Sequence, residues 1–210
     1  MAAKGADPFA NVEPLDNLAD LAGRLQHCRR CPIGCNGTRA VAGEGPAGAP
    51  LMIVGEQPGD VEEREGRPFV GPAGRLLMQQ LEEAGIERDR AFVTNAVKHF
   101  KFSPRGKRRI HETPTAREID ICRWWLQSER RLVRPRLILA LGASAARSML
   151  GKTVSIGTMR GRQHKLDDGT GLWISTHPSY LLRLRDEKKA MESARFAEDI
   201  QAVEKQLRVG

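Results

Sequence analysis

Three of the four cysteines in this chain lie within eight residues, at positions 28, 31 and 35, and the fourth is Cys122. Cys28 and Cys31 have the C-x2-C spacing, which presents two thiolates from one tight turn and suits a metal chelate. In a chain of intracellular character this pattern favours a metal site over a disulfide framework. The spacing fits zinc as well as an iron–sulfur cluster. The further ligands open to such a site are Cys122, Cys35, His99 and His27.

A second group of polar residues follows three predicted strands. Glu56 and Gln57 come directly after one apolar run, Asn95 ends a second, and His177 follows a third. In an open parallel sheet the ligand site lies at the carboxyl ends of the strands. We therefore expect these four side chains to lie close together.

The segment 98–111 is strongly basic and ends at His111. Such a run either supplies phosphate contacts to a nucleic acid or forms an ordinary solvated loop, and the sequence supports both. Taken alone, His111 is an ordinary loop histidine. Gly151-Lys152-Thr153 superficially matches a phosphate-binding loop, but Ala146 replaces the required earlier glycine and no helix start follows.

The chain has 210 residues, of which 40% are hydrophobic and 29% charged, a composition typical of soluble globular proteins. Its 34 lysines and arginines exceed the 26 aspartates and glutamates by 8. This excess favours a polyanionic partner, with nucleic acid ahead of anionic lipid. The longest strongly apolar run, 137–141, is too short to span a bilayer, and residues 1–14 lack the apolar segment of a secretory signal. We expect a cytoplasmic protein that binds no membrane.

Strands alternate with helices along the chain, which predicts a mainly parallel sheet covered on both faces. The predicted strands are 51–55, 91–95, 136–141 and 172–175, and the predicted helices are 17–26, 75–84, 115–131 and 188–207. The fold class is therefore α/β, a three-layer α/β/α sandwich around a four-stranded sheet. We expect a flexible tail over 1–14 and one domain over 15–210. Four local expectations are a short edge strand at 38–42, long loops at 56–71 and up to 113, a strand at 161–166 paired with 172–175, and Ser144 as a helix cap.

Several short motifs occur in an order that resembles the uracil-DNA glycosylase superfamily. The match is closest to its iron–sulfur branch and, within it, to the UdgX class, whose members trap uracil-containing DNA covalently. The motifs are the C-x2-C pair, Gly55-Glu56-Gln57-Pro58-Gly59, the stretches 66–74 and 94–100, Lys107-Arg108-Arg109-Ile110-His111, Cys122, and His177-Pro178-Ser179-Tyr180-Leu181-Leu182. They extend over nearly the whole chain.

The resemblance implies a pocket for a uracil flipped out of DNA, with Gly55 lining it. Phe69 would stack on the base, and Asn95 would hydrogen-bond its Watson–Crick edge. His177 would donate to the uracil anion as the glycosidic bond breaks. The loop 180–182 would push into the DNA.

In the UdgX-like class the final histidine of Lys107–His111 replaces the attacking water. The resemblance thus implies that His111 bonds to C1′, with Glu56 orienting it or taking its proton. Gln57 would hold uracil or the histidine loop, and Arg109 would shape that loop and contact phosphate. Such an enzyme turns over once at most. The alternatives are a conventional uracil-DNA glycosylase of base excision repair, which turns over, and a metal-containing DNA-binding module without catalysis.

The resemblance also implies a structural 4Fe–4S cluster held by Cys28, Cys31, His99 and Cys122, with Cys35 competing with His99 for the fourth position. The partner would be uracil-containing, single-stranded DNA, bound by a monomer. Relatives that exclude thymine with a tyrosine carry that residue near Gly59, where this chain has no side chain.

Overall fold

Four apolar runs of five residues form the parallel strands at the centre of the molecule. The computed structural model describes residues 15–209. In chain order the strands are β1 (Leu51–Gly55), β2 (Ala91–Asn95), β3 (Phe102–Arg105), β4 (Arg108–His111), β5 (Leu137–Leu141), β6 (Gln163–Lys165) and β7 (Gly171–Ser175). The helices are α1 (Leu18–Leu25), α2 (Pro32–Cys35), α3 (Asp60–Glu65), α4 (Pro72–Glu83), α5 (Ala116–Val133), α6 (Ala143–Leu150), α7 (Ile156–Met159), α8 (Pro178–Arg183) and α9 (Asp186–Val209).

The central sheet has the strand order β2-β1-β5-β7-β6. The first four strands are parallel, and every residue in them is buried. Unbroken apolar strands are expected where helices cover both faces of a sheet. The predicted α/β class is confirmed, and the predicted four strands gain a fifth, because β6 pairs antiparallel with β7 at one edge.

The two faces of the sheet bury separate apolar clusters. On one face, Ile53 and Leu139 pack in a cluster with Leu77 of α4, Leu181 of α8 and Phe196 of α9. On the other face, α5 and α6 contribute to a cluster that contains the alternate residues of the same strands. The helices thus form the two outer layers of the predicted sandwich.

A third apolar cluster lies beside the sheet and joins α1 to α5. It contains Leu21 and Leu25 together with Cys28, Cys31 and Cys122. Three of the four cysteines are therefore brought into one region, although Cys122 is distant in sequence.

The structure contradicts the local expectations for two loops, one strand and one helix cap. The basic segment predicted as a loop contains the antiparallel hairpin β3–β4, hereafter the histidine hairpin (Phe102–His111), and α3 lies within the loop predicted over 56–71. Residues 38–42 form no strand, although Val41 donates a main-chain hydrogen bond to Lys98. Ser144 does not cap α6, because Gly142, with φ of 88°, occupies the N-cap position.

No helix within residues 15–209 is both long and apolar enough to cross a bilayer. The tail predicted over 1–14 lies outside the described residues, as does Gly210.

Candidate active site

The carboxyl ends of the parallel strands open into a cleft of about 960 Å³. Gly55 and Asn95 are register partners at the ends of β1 and β2, which sets the two residues side by side. The predicted site residues that line the cleft are Glu56, Gln57, Phe69, Asn95, His111 and His177. The strand-end rule therefore brings together residues that are far apart in the chain.

The absence of a side chain at Gly55 leaves room for two residues that line this cleft, Asn95 and Phe69. A Cβ atom added there would overlap Asn95 Oδ1 and stand 2.8 Å from Phe69 Cζ. Asn95 is 4% exposed and Phe69 8% exposed, so an added methyl group would displace two largely buried side chains. Gly55 thus allows an aromatic ring and a side-chain amide to meet at one point.

Phe69 is held in a backbone conformation that few residues with a side chain adopt. Its φ is 57°, in the left-handed region, which is strained for an aromatic residue. Gly74 permits this turn, because a Cβ at that position would overlap the Phe69 carbonyl. The Glu62 carboxylate also fixes the loop by accepting a hydrogen bond of 2.8 Å from Gly71 N. The ring therefore has a fixed place facing His177, with their centroids 6.5 Å apart.

His177 is held as a neutral imidazole with a defined tautomer. Burial lowers its pKa from 6.5 to about 4. Ser179 N donates to Nδ1 across 3.2 Å, so Nδ1 is an acceptor and the single ring proton of the neutral form lies on Nε2. His177 therefore offers an N–H donor to the cleft without a positive charge.

Because the pKa of His177 is depressed in the folded protein, we expect the free energy of unfolding to decrease as the pH is lowered. The unfolded chain binds this proton at pH 6.5, whereas the folded chain binds it only near pH 4. The free energy of unfolding should therefore decrease as the pH falls from 6.5 to 4, by at most about 3 kcal/mol from this group. Denaturant unfolding at pH 6.5 and 4.5 measures the loss, which should be smaller in His177→Gln. Equal losses of stability in the parent and in His177→Gln would contradict the assignment of this pH dependence to His177.

His111 ends β4 and faces Glu56 across the cleft. Its Nε2 atom lies 3.2 Å from Glu56 Oε1, and its side chain is 48% exposed. Glu56 Oε2 accepts a second hydrogen bond, of 2.6 Å, from the Ser144 hydroxyl. Burial raises the pKa of Glu56, but the hydrogen bonds with His111 and Ser144 outweigh that effect and lower it below 4.5. Glu56 is thus an ionised acceptor for a proton of His111.

Gln57 fastens the histidine hairpin at its base. Its Oε1 atom accepts from Lys101 N, and its Nε2 atom donates to the carbonyls of Lys101 and Glu112, all at 3.1–3.2 Å. These partners flank the hairpin on both sides, so the contacts favour the expectation that Gln57 holds the histidine loop.

Arg109 clamps the same hairpin to α3. Its guanidinium pairs with Asp60 and, at 2.8 Å, with Glu63, and it lies 5.2–5.4 Å from the ring centroids of Phe100 and Phe102. Burial lowers the pKa of Arg109, but the two carboxylates outweigh it and raise the pKa. These contacts support the expectation that Arg109 shapes the histidine loop. They also pair its positive charge with carboxylates, whereas the sequence led us to expect that charge at a DNA phosphate.

The third apolar cluster contains a plausible donor set for a metal group. Cys28, Cys31 and Cys122 are buried free thiols, and His99 is 2% exposed. Within residues 15–209, the buried His99 Nε2 atom has no hydrogen-bond partner. Trp125 Nε1 donates to Cys28 Sγ at 3.2 Å, and Lys98 N donates to Cys122 Sγ at 3.3 Å. Such N–H···S bonds and an unused imidazole nitrogen fit ligands of an iron–sulfur cluster.

The spacing of these donors and the placement of Cys35 narrow the choice of metal group and of fourth ligand. Among the described residues no three such side chains are grouped closely enough to hold a single metal ion. Burial lowers the pKa of His99 to about 4, so its ring is neutral, as a metal ligand must be. Cys35 is exposed and its Sγ atom lies 3.4 Å from the Arg29 carbonyl. This placement favours His99 over Cys35 as a fourth ligand.

Sequence reasoning missed three side chains of the cleft. Ser144 donates a hydrogen bond to Glu56. Because it closely follows the end of β5, the strand-end rule could have identified it. Glu62 lies in front of Gly59, where a Cβ would stand 2.7 Å from Glu62 Oε2, and therefore fills the space beside that glycine. Arg160 lines the far end of the cleft and pairs at 2.7 Å with Glu192, a contact between distant helices that no local pattern indicates. Residues 180–182, expected to form a loop, belong instead to helix α8 (Pro178–Arg183). Leu181 is buried in the core, whereas Tyr180 and Leu182 line the cleft.

Comparison with known proteins gives this arrangement a family. The family model described as the uracil DNA glycosylase superfamily matches residues 42–201. The chain is 39% identical over 166 residues to the type-4 uracil-DNA glycosylase of Thermotoga maritima, covering 79% of this chain and 83% of that protein. It is 33% identical over 174 residues to the type-4 uracil-DNA glycosylase of Pyrobaculum aerophilum (80% and 85% covered). It is 30% identical over 195 residues to the type-5 enzyme of the same organism (77% and 82% covered). The resemblance seen in the motifs is confirmed at this level: the chain belongs to the uracil DNA glycosylase superfamily.

Proposed function

We propose that this protein excises uracil from single-stranded DNA. The observation that carries the proposal is that Phe69, Asn95 and His177 line the same cleft, with Gly55 leaving room for Phe69 and Asn95. Phe69 supplies a face for stacking a flipped base, and the Asn95 amide supplies one donor and one acceptor for its Watson–Crick edge. The type-4 and type-5 relatives are named as uracil-DNA glycosylases, which supports the same activity.

His177 has the properties needed to stabilise the leaving base. As the bond from C1′ to N1 breaks, the electron pair departs with uracil and the sugar becomes oxocarbenium-like. The proton that the tautomer of His177 keeps on Nε2 can hydrogen-bond the developing uracil anion. The donor is already oriented by Ser179, so it needs no reorganisation during the reaction.

For the second half of the reaction we propose capture of the sugar by His111. A lone pair on an imidazole nitrogen forms the bond to C1′, the ring becomes an imidazolium, and its remaining N–H proton passes to Glu56. The contact between His111 Nε2 and Glu56 Oε1 supports this step, as does the exposure of His111 to the cleft. The product is an alkylated imidazole, which is a poor leaving group, so each molecule would react once.

A conventional hydrolysis with turnover is the second candidate, and the comparisons favour it. The relatives are named as type-4 and type-5 uracil-DNA glycosylases, and those names imply no covalent product. In that reaction Glu56 would activate a water for attack at C1′. The pocket for uracil is the same in both candidates, so only the fate of the sugar separates them.

One gel separates the candidates. The protein is mixed with a labelled single-stranded oligonucleotide containing one uracil, and the sample is boiled in detergent and run under denaturing conditions. A slower band that survives boiling, absent with thymine in place of uracil, supports capture. Strand breakage in alkali without that band supports hydrolysis with turnover. If neither the band nor strand breakage in alkali is observed, uracil excision itself is contradicted, and a DNA-binding module is favoured.

We further propose that Cys28, Cys31, His99 and Cys122 hold a 4Fe–4S cluster. The three buried thiols, the N–H···S bonds and the partnerless His99 Nε2 within residues 15–209 support this set. When bound, the cluster would fasten α1 and the Cys28–Cys31 turn to α5, a structural role. Iron and sulfide content of the purified protein, with the visible absorption of such clusters, tests the assignment.

Glu62 is placed to influence discrimination against thymine. Its carboxylate fills the space beside Gly59, in the cleft that also holds Phe69, so a 5-methyl group directed there would meet occupied space. We expect Glu62→Ala to narrow the preference for uracil over thymine by about tenfold, whereas Glu62→Gln, which keeps the volume, should change it far less. Single-turnover rates on matched uracil and thymine oligonucleotides measure both variants. If thymine DNA remains inert to Glu62→Ala, another group excludes the methyl.

A further inference from the structure

A fully buried ion pair that takes no part in the proposed chemistry lies behind the uracil pocket. Lys98 Nζ is 2.6 Å from Glu129 Oε2, and both side chains are 0% exposed. The ammonium donates further hydrogen bonds to Thr94 Oγ1 at 2.6 Å and to the Asn95 carbonyl at 2.8 Å. All three of its donors are therefore used.

Glu129 is equally well satisfied. Its Oε2 atom accepts from the Thr94 hydroxyl at 2.7 Å, and its Oε1 atom accepts from Gly43 N at 2.8 Å. The carboxylate thus ties α5 to the end of β2 and to the chain entering the sheet. Its contacts join three segments that are distant in sequence.

The pair lies between the base-recognition residue and the proposed cluster ligands. On one side Lys98 holds the Asn95 carbonyl through its side chain. On the other side its own backbone N–H donates to Cys122 Sγ, and the next residue in the chain is His99. The backbone between Asn95 and His99 also pairs with β1, since Ala96 N and Val97 N donate to the carbonyls of Gly55 and Glu56. Lys98 therefore completes the fixation of this short turn.

Stability alone is a weak explanation for such a pair. Removing two charges from water costs about as much as their attraction returns, and replacing both partners by uncharged residues of similar size is often neutral or stabilising. The contact that uncharged residues would not reproduce is the donor to the Asn95 carbonyl. The specific effect of the ion pair is therefore to fix the orientation of Asn95.

We propose that Lys98 and Glu129 are positioning residues that aim the Asn95 side chain at the uracil edge. This inference rests on the proposed function, because it assigns the pair to uracil recognition. The Lys98 ammonium fixes the Asn95 backbone at the carbonyl, Glu129 fixes the ammonium, and the side-chain amide stays over Gly55. Neither Lys98 nor Glu129 touches the base.

The test replaces both charges at once, with Lys98→Met and Glu129→Gln, so that no buried charge is left unpaired. Affinity is measured for two single-stranded oligonucleotides. One carries a 2′-fluorinated deoxyuridine, whose glycosidic bond resists cleavage, and the other carries a tetrahydrofuran abasic analogue. The dissociation constant for the abasic oligonucleotide is divided by that for the uracil analogue, and this ratio isolates the contribution of the base. We expect the double variant to reduce this ratio about tenfold, through the loss of oriented hydrogen bonds to uracil, while abasic binding, melting temperature and iron content stay close to the parent.

A cycle with Asn95→Ala distinguishes positioning from a general structural role. If the pair acts through Asn95, adding the double variant to Asn95→Ala should leave the ratio nearly unchanged. A matched control is Arg130→Met with Asp168→Asn, which removes an ion pair from the same helix in a separate cleft; its ratio should equal that of the parent.

Three results would overturn the proposal. They are an unchanged ratio in the double variant, additive effects with Asn95→Ala, and a double variant that does not fold, which would mean that the pair serves stability. A parent protein with no preference for the uracil analogue would instead contradict the proposed function itself.

Discussion

Replacing His111 by alanine should abolish the boiling-resistant protein–DNA band. The imidazole is the group beside Glu56 that has a lone pair for C1′, and because its side chain is 48% exposed, alanine removes it with little loss of packing. Loss of a nucleophile typically lowers the rate by at least about a thousandfold. The rate at which the slower band appears, followed on the uracil oligonucleotide under single-turnover conditions, measures the effect.

The control for this experiment is His164→Ala. His164 lies on the edge strand β6, where its Nε2 atom is 2.8 Å from the Met159 carbonyl, and it does not line the cleft. The band should form at the parental rate in this variant. A band that persists in His111→Ala would place the nucleophile elsewhere. Full uracil release by His111→Ala, with no band from the parent, would establish hydrolysis with turnover.

Gly55→Ala should nearly eliminate uracil excision while leaving the protein folded. The added methyl group would overlap the Asn95 amide oxygen and crowd the Phe69 ring, so that the base loses its hydrogen-bonding partner and its stacking surface together. Loss of one preorganised hydrogen-bond partner already costs about 100-fold in rate, and we expect at least that loss. Single-turnover rates of uracil release or capture measure it.

Gly23→Ala is the matched control for this substitution. Gly23 lies inside α1, and a Cβ there meets nothing within 4 Å. Alanine in a helix interior should raise the melting temperature slightly, with no change in rate. If Gly55→Ala retained the parental rate, the space between Asn95 and Phe69 would not be the uracil site, and these two residues would need another explanation.

The parallel strands can be predicted from the sequence because their signal is local. Each is an unbroken apolar run that ends at a polar or glycine residue, and burial on both faces demands this pattern. The same rule places Glu56, Asn95 and His177 at one edge of the sheet. Once the strands are recognised, the topology of the parallel sheet therefore predicts that these residues lie close together.

The histidine hairpin gives no comparable local signal. Its segment contains Pro104 and many cations and has no apolar alternation. Its position is set by Gln57 and by the pairing of Arg109 with α3, which are contacts formed only in the folded chain. Local propensity cannot reveal a hairpin that side chains of other elements hold in place.

The supporting hydrogen bonds of the site are hidden for the same reason. Ser144 and Glu56 are 88 residues apart, and Lys98 and Glu129 are 31 residues apart. No periodicity links such partners, and a buried lysine contradicts the usual preference of that residue for the surface. Family resemblance identifies residues expected to touch the substrate, but not those that hold them in place.

The attachment of the histidine hairpin makes it a modular part of the molecule. Its two strands pair with each other as a sheet of their own, separate from the central one, and side chains such as Gln57 and Arg109 fasten it. We therefore expect that the hairpin can be replaced without reordering the central sheet. If His111 captures the sugar as proposed, a chimera that bears Phe102–His111 together with its anchoring side chains would transfer that capacity to another member of the superfamily.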